Sequence, residues 1–386
     1  MGIVWMNIGA FALPSQAYLD PAAAGPMSVA DCIAWLVGLV LVDGKMRALF
    51  SMLFGASMLL LIDREEMAGR DGMRAQKVRS GWLFVIGLAH YLLLWWGDIL
   101  MTYALVGLVA LFFVRAQPLA LVKWAFSLFL LHFLIVVVFV ATLYAWSRTG
   151  GTGYAGFIAA LSDPADPAVR QEIALYRSGY GAIVGHQLAR YPSEWLRGLQ
   201  FTSVDTLGFM LMGMAMLKSG FLTGRWDIDQ YRKTARHCFA IGVPPMLALG
   251  AWAILSAFAP LTALGISFAW SFPFRIPLAV GWAALILWLA LRHRDHPLAA
   301  RIGAAGRMAL SNYLGTSLVM TAIFYGWGLG LFGRFGHAAL LLFVPAAWAV
   351  MLLWSPWWLA RFALGPAEWL WRSLARGKMQ TIRRSV

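Results

Sequence analysis

Long apolar runs separated by short charged linkers pattern almost the whole chain. Such runs lie near 46–62, 80–96, 98–114, 120–146, 201–217, 238–259, 273–291, 308–326 and 338–359, with a shorter one at about 1–14. A helix rises 1.5 Å per residue and needs roughly 20 apolar residues to cross a bilayer core of about 30 Å. The pattern therefore predicts an all-α, polytopic membrane helical bundle of nine full spans plus a partial first helix, forming one integral membrane domain over 1–386. The opening MGIVWMNIGAFALP has no basic segment before its apolar run, so it reads as the second half of a transmembrane helix rather than a signal peptide.

Two stretches depart from this rhythm. Residues 147–200 form a long polar loop, predicted to be extracytoplasmic. It opens on the flexible TGGTGYAG, passes a turn-rich SDPADP, and turns helical from about Ala168 to Leu188. At Tyr191-Pro192-Ser193-Glu194 a further helix starts, with proline in its first turn, and runs directly into the span at 201–217. The second stretch, about 360–386, holds Trp-rich ends (SPWWLARF, AEWLWRSLARG) and a basic amphipathic tail predicted to lie on the inner leaflet.

Composition agrees with a lipid environment: 61% of residues are hydrophobic and only 12% charged, whereas a soluble surface needs roughly a quarter or more of its positions charged. The net charge of +14 reads as topology rather than as a nucleic-acid surface. On the predicted spans, 22 of the 31 Lys and Arg residues fall on one side, which makes that side and the C-terminus cytoplasmic. Cys32 and Cys238 fall on opposite sides, so no disulfide joins them. The expected location is a bacterial inner (plasma) membrane, with anionic lipids as partners at the cytoplasmic face, and a homodimer is a further candidate assembly.

Five blocks carry a family resemblance: DGKMRALFSMLFGASMLLLIDR (43–64), GLAHYLLLWWGDIL, SVDTLGFMLMGMAMLKSGFLTG (203–224), GRMALSNYLGTSLVMTAIFYGWGLGLFG (306–333) and RFALGPAEWLWRSLARGKMQTIRR. In this order they resemble the YeiB-like family of bacterial multi-pass proteins over nearly the whole chain. That family's upstream Leu-Asp, Arg-Gly motif is absent, because the chain begins inside the corresponding helix. The resemblance implies kinship with acyltransferase-like membrane proteins, including those that pass an acetyl group from cytosolic acetyl-CoA to a sugar across the bilayer. Kinship at this level does not fix a reaction.

The polar groups inside the spans are the candidate chemistry. His90 lies 11 residues past Arg79, about 16 Å along a helix and so near mid-bilayer, where an ionisable residue is a functional candidate. It reads either as a satisfied core histidine or as a general base oriented by a carboxylate. Asp98 reads as the cap of a returning helix after Gly97, or as that carboxylate. A direct pair with His90 requires the chain to turn back there. Asp205, Arg47 and Arg275 sit at similar depth with Asp43 and Lys45, as paired structural ions or, together with His90 and Asp98, as the lining of one outward-opening cavity. On the inner side Arg74, Lys77, Arg79, Arg307 and Arg372 form either a lipid-facing belt or a basic mouth for a phosphorylated donor such as CoA. Asn312 there is a helix-to-helix bond or part of that mouth. No His, Cys or carboxylate pair has metal-ligand spacing within a span, so no metal is expected. The Gly-rich LFGAS and GWGLGLFG are expected to allow close helix approach and an irregular re-entrant turn.

The leading functional expectation is transfer of a small acyl group from cytosolic acyl-CoA to an extracytoplasmic or lipid-linked acceptor. His90 would act as base, Asp98 or Asp205 would orient it, Arg47 and Arg275 would contact substrate, and Arg74, Lys77, Arg79, Arg307 and Asn312 would hold the donor. A transporter or exporter, and a non-catalytic membrane scaffold, are the alternatives.

Overall fold

The computed structural model describes residues 1–18, 20–163 and 165–383; Arg384 and the other last residues of the predicted tail lie outside the described residues. The helices are α1 (Gly2–Ala12), α2 (Val29–Leu41), α3 (Lys45–Met67), α4 (Gly72–Leu93), α5 (Leu100–Ala110), α6 (Pro118–Ser147), α7 (Thr152–Ser162), α8 (Pro167–Tyr176) and α9 (Tyr180–Arg190). They continue as α10 (Ser193–Lys218), α11 (Ile228–Leu255), α12 (Pro260–Gly265), α13 (Phe272–Arg292), α14 (Pro297–Arg307), α15 (Ala309–Phe324), α16 (His337–Leu340), α17 (Phe343–Leu359) and α18 (Pro366–Arg376). Apart from one isolated bridge, Phe362 to Arg383, no β-pairing occurs among the described residues. Five stretches are long and apolar enough to cross a membrane: Val29–Met67, which takes in α2 and α3, then Pro118–Ser147, Ile228–Leu255, Phe272–Arg292 and His337–Leu359. The chain is a multi-pass membrane protein. Helix α6 shows why: Leu119, Phe126, Leu130, Leu134 and Val138 are exposed along its outer face, an apolar stripe that only lipid covers without cost.

Helices α3 and α10 form the centre. Gly55 and Gly213 lie where their backbones touch: a Cβ on Gly55 would stand 2.2 Å from the Met210 carbonyl oxygen, and one on Gly213 would stand 1.9 Å from that of Met52. Small residues at such crossings let two helix backbones approach in lipid. Gly213→Leu is therefore expected to force α3 and α10 apart and to lower the midpoint of detergent-solubilised thermal unfolding by several degrees; an unshifted midpoint would show that this crossing does not limit stability.

Several sequence expectations change in detail. Helix α2 lies in a stretch read as a linker; at 13 residues it is shorter than a full span, and the turn Val42–Gly44 separates it from α3. The 168–188 segment is two helices, interrupted at Arg177–Gly179, and most of TGGTGYAG belongs to α7 rather than to flexible loop. The run at 338–359 is likewise split between α16 and α17. Helix α10 starts where the sequence reading places it, at Ser193, with Pro192 as its N-cap rather than within its first turn.

The loop 325–336 folds back on the end of α15. The Leu329 and Phe332 amides donate to the Ala322 and Phe324 carbonyls (2.8 and 2.7 Å), the Gly326 amide donates to Tyr176 O (2.8 Å), and the Gly333 amide donates to Ala12 O (2.7 Å). Arg177 Nε donates to Phe332 O (2.7 Å). A Cβ on Gly326 would sit 2.0 Å from the Arg177 carbonyl oxygen, so only glycine fits. This clasp fixes α8 to α1 and α15. The end of the bundle carrying α7–α9 is the cap end, and the opposite end, carrying α18, is the tail end.

Candidate functional site

Helix α4 stops at Leu93, and after six intervening residues α5 begins and runs back along it. The reversal depends on Gly87, where a Cβ would come within 2.7 Å of the Met101 amide nitrogen and 2.9 Å of Asp98 Oδ2. It also depends on Trp95, which is buried and stacks on Phe11 with ring centroids 4.0 Å apart. The turn brings His90 Nδ1 to 2.8 Å from Asp98 Oδ1, while the Met101 amide donates to Asp98 Oδ2 at 2.9 Å. Asp98 thus caps α5 and holds the imidazole at once. Both side chains are buried. A carboxylate that accepts from Nδ1–H leaves Nε2 as the free, basic nitrogen; that atom is buried without a hydrogen-bond partner, beside the Tyr313 ring (centroids 5.1 Å apart). The Ile99 amide donates to the Tyr313 hydroxyl (3.4 Å).

A second cluster lies on α3 and α10. Arg47 forms a bidentate ion pair with buried Asp205, and its Nη1 also donates to Thr206 Oγ1 at 2.9 Å. The Tyr103 hydroxyl, from α5, pairs with Ser51 Oγ (2.7 Å) and donates to the Arg47 carbonyl oxygen (3.3 Å). A cavity of about 390 Å³ joins the two clusters. Arg47, Asp98, Tyr103 and Thr206 line its depth, and Glu194, Trp195 and Arg197 line it toward the cap end. Tyr91, Trp96 and Glu194 also line a second, polar cavity of about 450 Å³ under α8 and α9, with Glu172, His186 and Arg190. There Glu172 accepts from the Ser15 amide (3.0 Å) and hydroxyl (2.9 Å); burial raises its carboxyl above the usual range, against those two bonds.

The five residues expected to share one cavity divide. Arg47 and Asp98 line it, His90 stands behind Asp98, and Asp205 stands behind Arg47. Arg275 belongs elsewhere: its Nη2 donates to Ser267 O (2.6 Å) and lies 3.8 Å from Asp43, which accepts from Tyr18 (2.8 Å). Beside it Lys45 is fully buried and donates to Leu39 O, the carbonyl that the break between α2 and α3 exposes. At the tail end Arg74, Lys77 and Arg307 are exposed, while the Arg79 guanidinium lies 4.2 Å over Trp371. The Asn312 amide is spent on Ala305 O (2.9 Å), Ser355 Oγ (3.2 Å) and Trp354 Nε1 (2.8 Å), tying α14, α15 and α17 together. Among the described residues no group of three or more His, Cys, Asp or Glu is arranged to hold a metal. Tyr313, Tyr103 and Thr206 were not anticipated as site residues. Of these only Tyr313 carried a hint, lying next to Asn312 in the family-like SNYLG.

Comparison with known proteins places the chain in a lineage. Residues 216–378 match the family model described as a protein of unknown function, DUF418. The uncharacterized protein YeiB of Escherichia coli is 34% identical, over 97% of this chain and 92% of the relative. The uncharacterized protein YxaH of Bacillus subtilis is 28% identical, over 96% and 90%. No solved structure matches. With a relative this similar over nearly its full length, the chain belongs to the YeiB-like, DUF418 family of multi-pass membrane proteins.

Proposed function

We propose that the chain is a membrane acyltransferase, moving a small acyl group from cytosolic acyl-CoA, such as acetyl-CoA, to an extracytoplasmic or lipid-linked acceptor. The observation that carries this reading is the buried His90–Asp98 pair, with Asp98 at the wall of a cavity that extends toward the cap end. In this reading the acceptor passes Asp98 from the cavity to reach His90 Nε2, which takes the proton of the acceptor's hydroxyl or amine as that atom attacks the thioester carbonyl and returns it to the departing thiolate. The new acyl–oxygen or acyl–nitrogen bond replaces the acyl–sulfur bond, so charge and atoms balance. Asp98 fixes the tautomer and stabilises the imidazolium. Asp205, expected as an alternative orienting group, instead holds Arg47, which faces the acceptor.

The same reading takes nine spans and a partial first helix, the cap outside an inner membrane and the tail end in the cytoplasm. Arg74, Lys77, Arg79 and Arg307 then face the side from which acyl-CoA arrives as donor substrate. His90→Ala is expected to lower transfer of radiolabelled acetyl from acetyl-CoA by about 10²–10⁴-fold with the fold intact by size-exclusion chromatography. Undiminished transfer in that variant would remove His90 from the chemistry.

A transporter or exporter is the second reading, favoured by one feature: the break between α2 and α3, with buried Lys45 on a freed carbonyl, resembles the discontinuous helices of transporters. Solute flux into proteoliposomes without covalent change would support it.

A further inference from the structure

Helix α18 is docked across the starts of α4 and α15 by two fixed contacts. The Glu368 carboxylate accepts from the amides of Leu310 (2.7 Å) and Ser311 (3.1 Å) and from the Ser311 hydroxyl, capping α15. Trp371 donates to the Arg79 carbonyl (2.9 Å) and lies under the Arg79 guanidinium. This docking has an electrostatic cost. It sets Arg372 and Arg376 near enough to Arg79 to repel it, and Arg372 is held below the usual guanidinium range by burial and then by Arg376 and Arg64. The carboxylate within the cluster, Glu65, is shared between Arg70 (2.5 Å) and Arg376 (3.7 Å), and Glu368 is occupied by α15. Arg79 Nε is buried with no partner.

From this arrangement the geometry points to a phosphate-binding site formed by Arg64, Arg79, Arg372 and Arg376 at the tail end, taking a phosphomonoester or diphosphate group. Guanidinium groups bind such oxyanions through two parallel N–H bonds, and a bound dianion turns the repulsion among the four into attraction. The site differs from the mouth expected from sequence: Arg74, Lys77 and Arg307 do not form it, and the C-terminal helix supplies half of it. The phosphate can come from a soluble ligand, which rests on the acyl-CoA reading above, or from a phospholipid headgroup, which does not.

The test uses the purified full chain and measures binding without turnover, so its outcome is independent of whether acyl transfer occurs. Coenzyme A and inorganic pyrophosphate are titrated by microscale thermophoresis in detergent, and thermal midpoints are compared in nanodiscs of phosphatidylcholine with and without phosphatidic acid, whose headgroup is a phosphomonoester. A soluble source predicts saturable binding of both probes, weakened at least tenfold in Arg372→Gln/Arg376→Gln and unchanged in Lys233→Gln, an exposed control at the start of α11. A headgroup source predicts no soluble binding but a phosphatidic-acid-dependent rise in midpoint that the double variant loses. Arg376→Lys, which keeps the charge but not the fork, is expected to fall between parent and double variant, and it serves if the double variant fails to fold. Binding and midpoint shifts that are absent, or indifferent to these substitutions, overturn the site.

Discussion

Asp98→Asn is expected to reduce acyl transfer by about 10²–10⁴-fold while leaving thermal stability close to that of the parent. The asymmetry follows from the two bonds that Asp98 makes. An asparagine carbonyl oxygen can still accept from the Met101 amide, so the start of α5 stays capped. Its NH₂ group then faces His90 Nδ1, where a carboxylate oxygen stood. The imidazole must present its lone pair at Nδ1 and carry its proton on Nε2, which blocks Nε2 from acting as a base. Asp98→Ala would confound the two effects, since it also removes the cap, worth about 1 kcal/mol. Transfer rates measured beside thermal midpoints for both variants separate them. An Asn variant that transfers at the parental rate would mean that the His90–Asp98 pair is structural only.

The largest stability effect is expected at Asp205. Asp205→Ala leaves the Arg47 guanidinium inside the bundle with Thr206 as its remaining side-chain partner, and removing one member of a buried ion pair costs about 3–5 kcal/mol. The loss should be recoverable. Arg47→Met/Asp205→Leu replaces the pair with apolar groups of similar volume and is expected to restore most of the stability, because the pair's attraction chiefly offsets its own desolvation. Reversible unfolding in mixed micelles measures both variants. A single Asp205→Ala variant within about 1 kcal/mol of the parent would refute a buried, uncompensated charge. If the double variant is stable yet fails in transfer, the role of the pair lies in facing the cavity rather than in holding the helices.

Hydropathy alone made α6, α13 and the α4–α5 hairpin legible, because each is a run of apolar residues bounded by charges or by Gly97. It missed α2 for the same reason: a run of 13 residues is below the length of a full span, and its partners, α11 and α16, come from distant parts of the chain. In the site, the sequence pointed to the individual polar residues, since an ionisable group in an apolar run is conspicuous. Their partners were less accessible. His90 and Asp98 are eight residues apart, and on one continuous helix they would stand about 12 Å apart; they meet because Gly87 and Trp95 permit an abrupt reversal. Arg47 and Asp205 are 158 residues apart, and which of the depth-matched charges pair depends on the close approach that Gly55 and Gly213 allow. Arg275 has the same depth and charge as Arg47, but its place opposite the break after α2 directs it to Asp43 instead.

The clasp between the 325–336 loop, the end of α8 and the end of α1 also bears on the order of biosynthesis. Its donors and acceptors come from residues near 12, near 176 and near 326–333, so the clasp on the cap cannot close until more than four-fifths of the chain has left the ribosome. Until then α7–α9 have emerged and α4 and α5 are inserted, but the wall of the polar cavity that α8 supplies is tied to the start of the chain by the Ser15–Glu172 bonds without the clasp. A nascent chain arrested before Gly326 would therefore carry His90 and Asp98 beneath a loosely held cap, and protease protection of the cap helices should appear as a late, abrupt event in insertion.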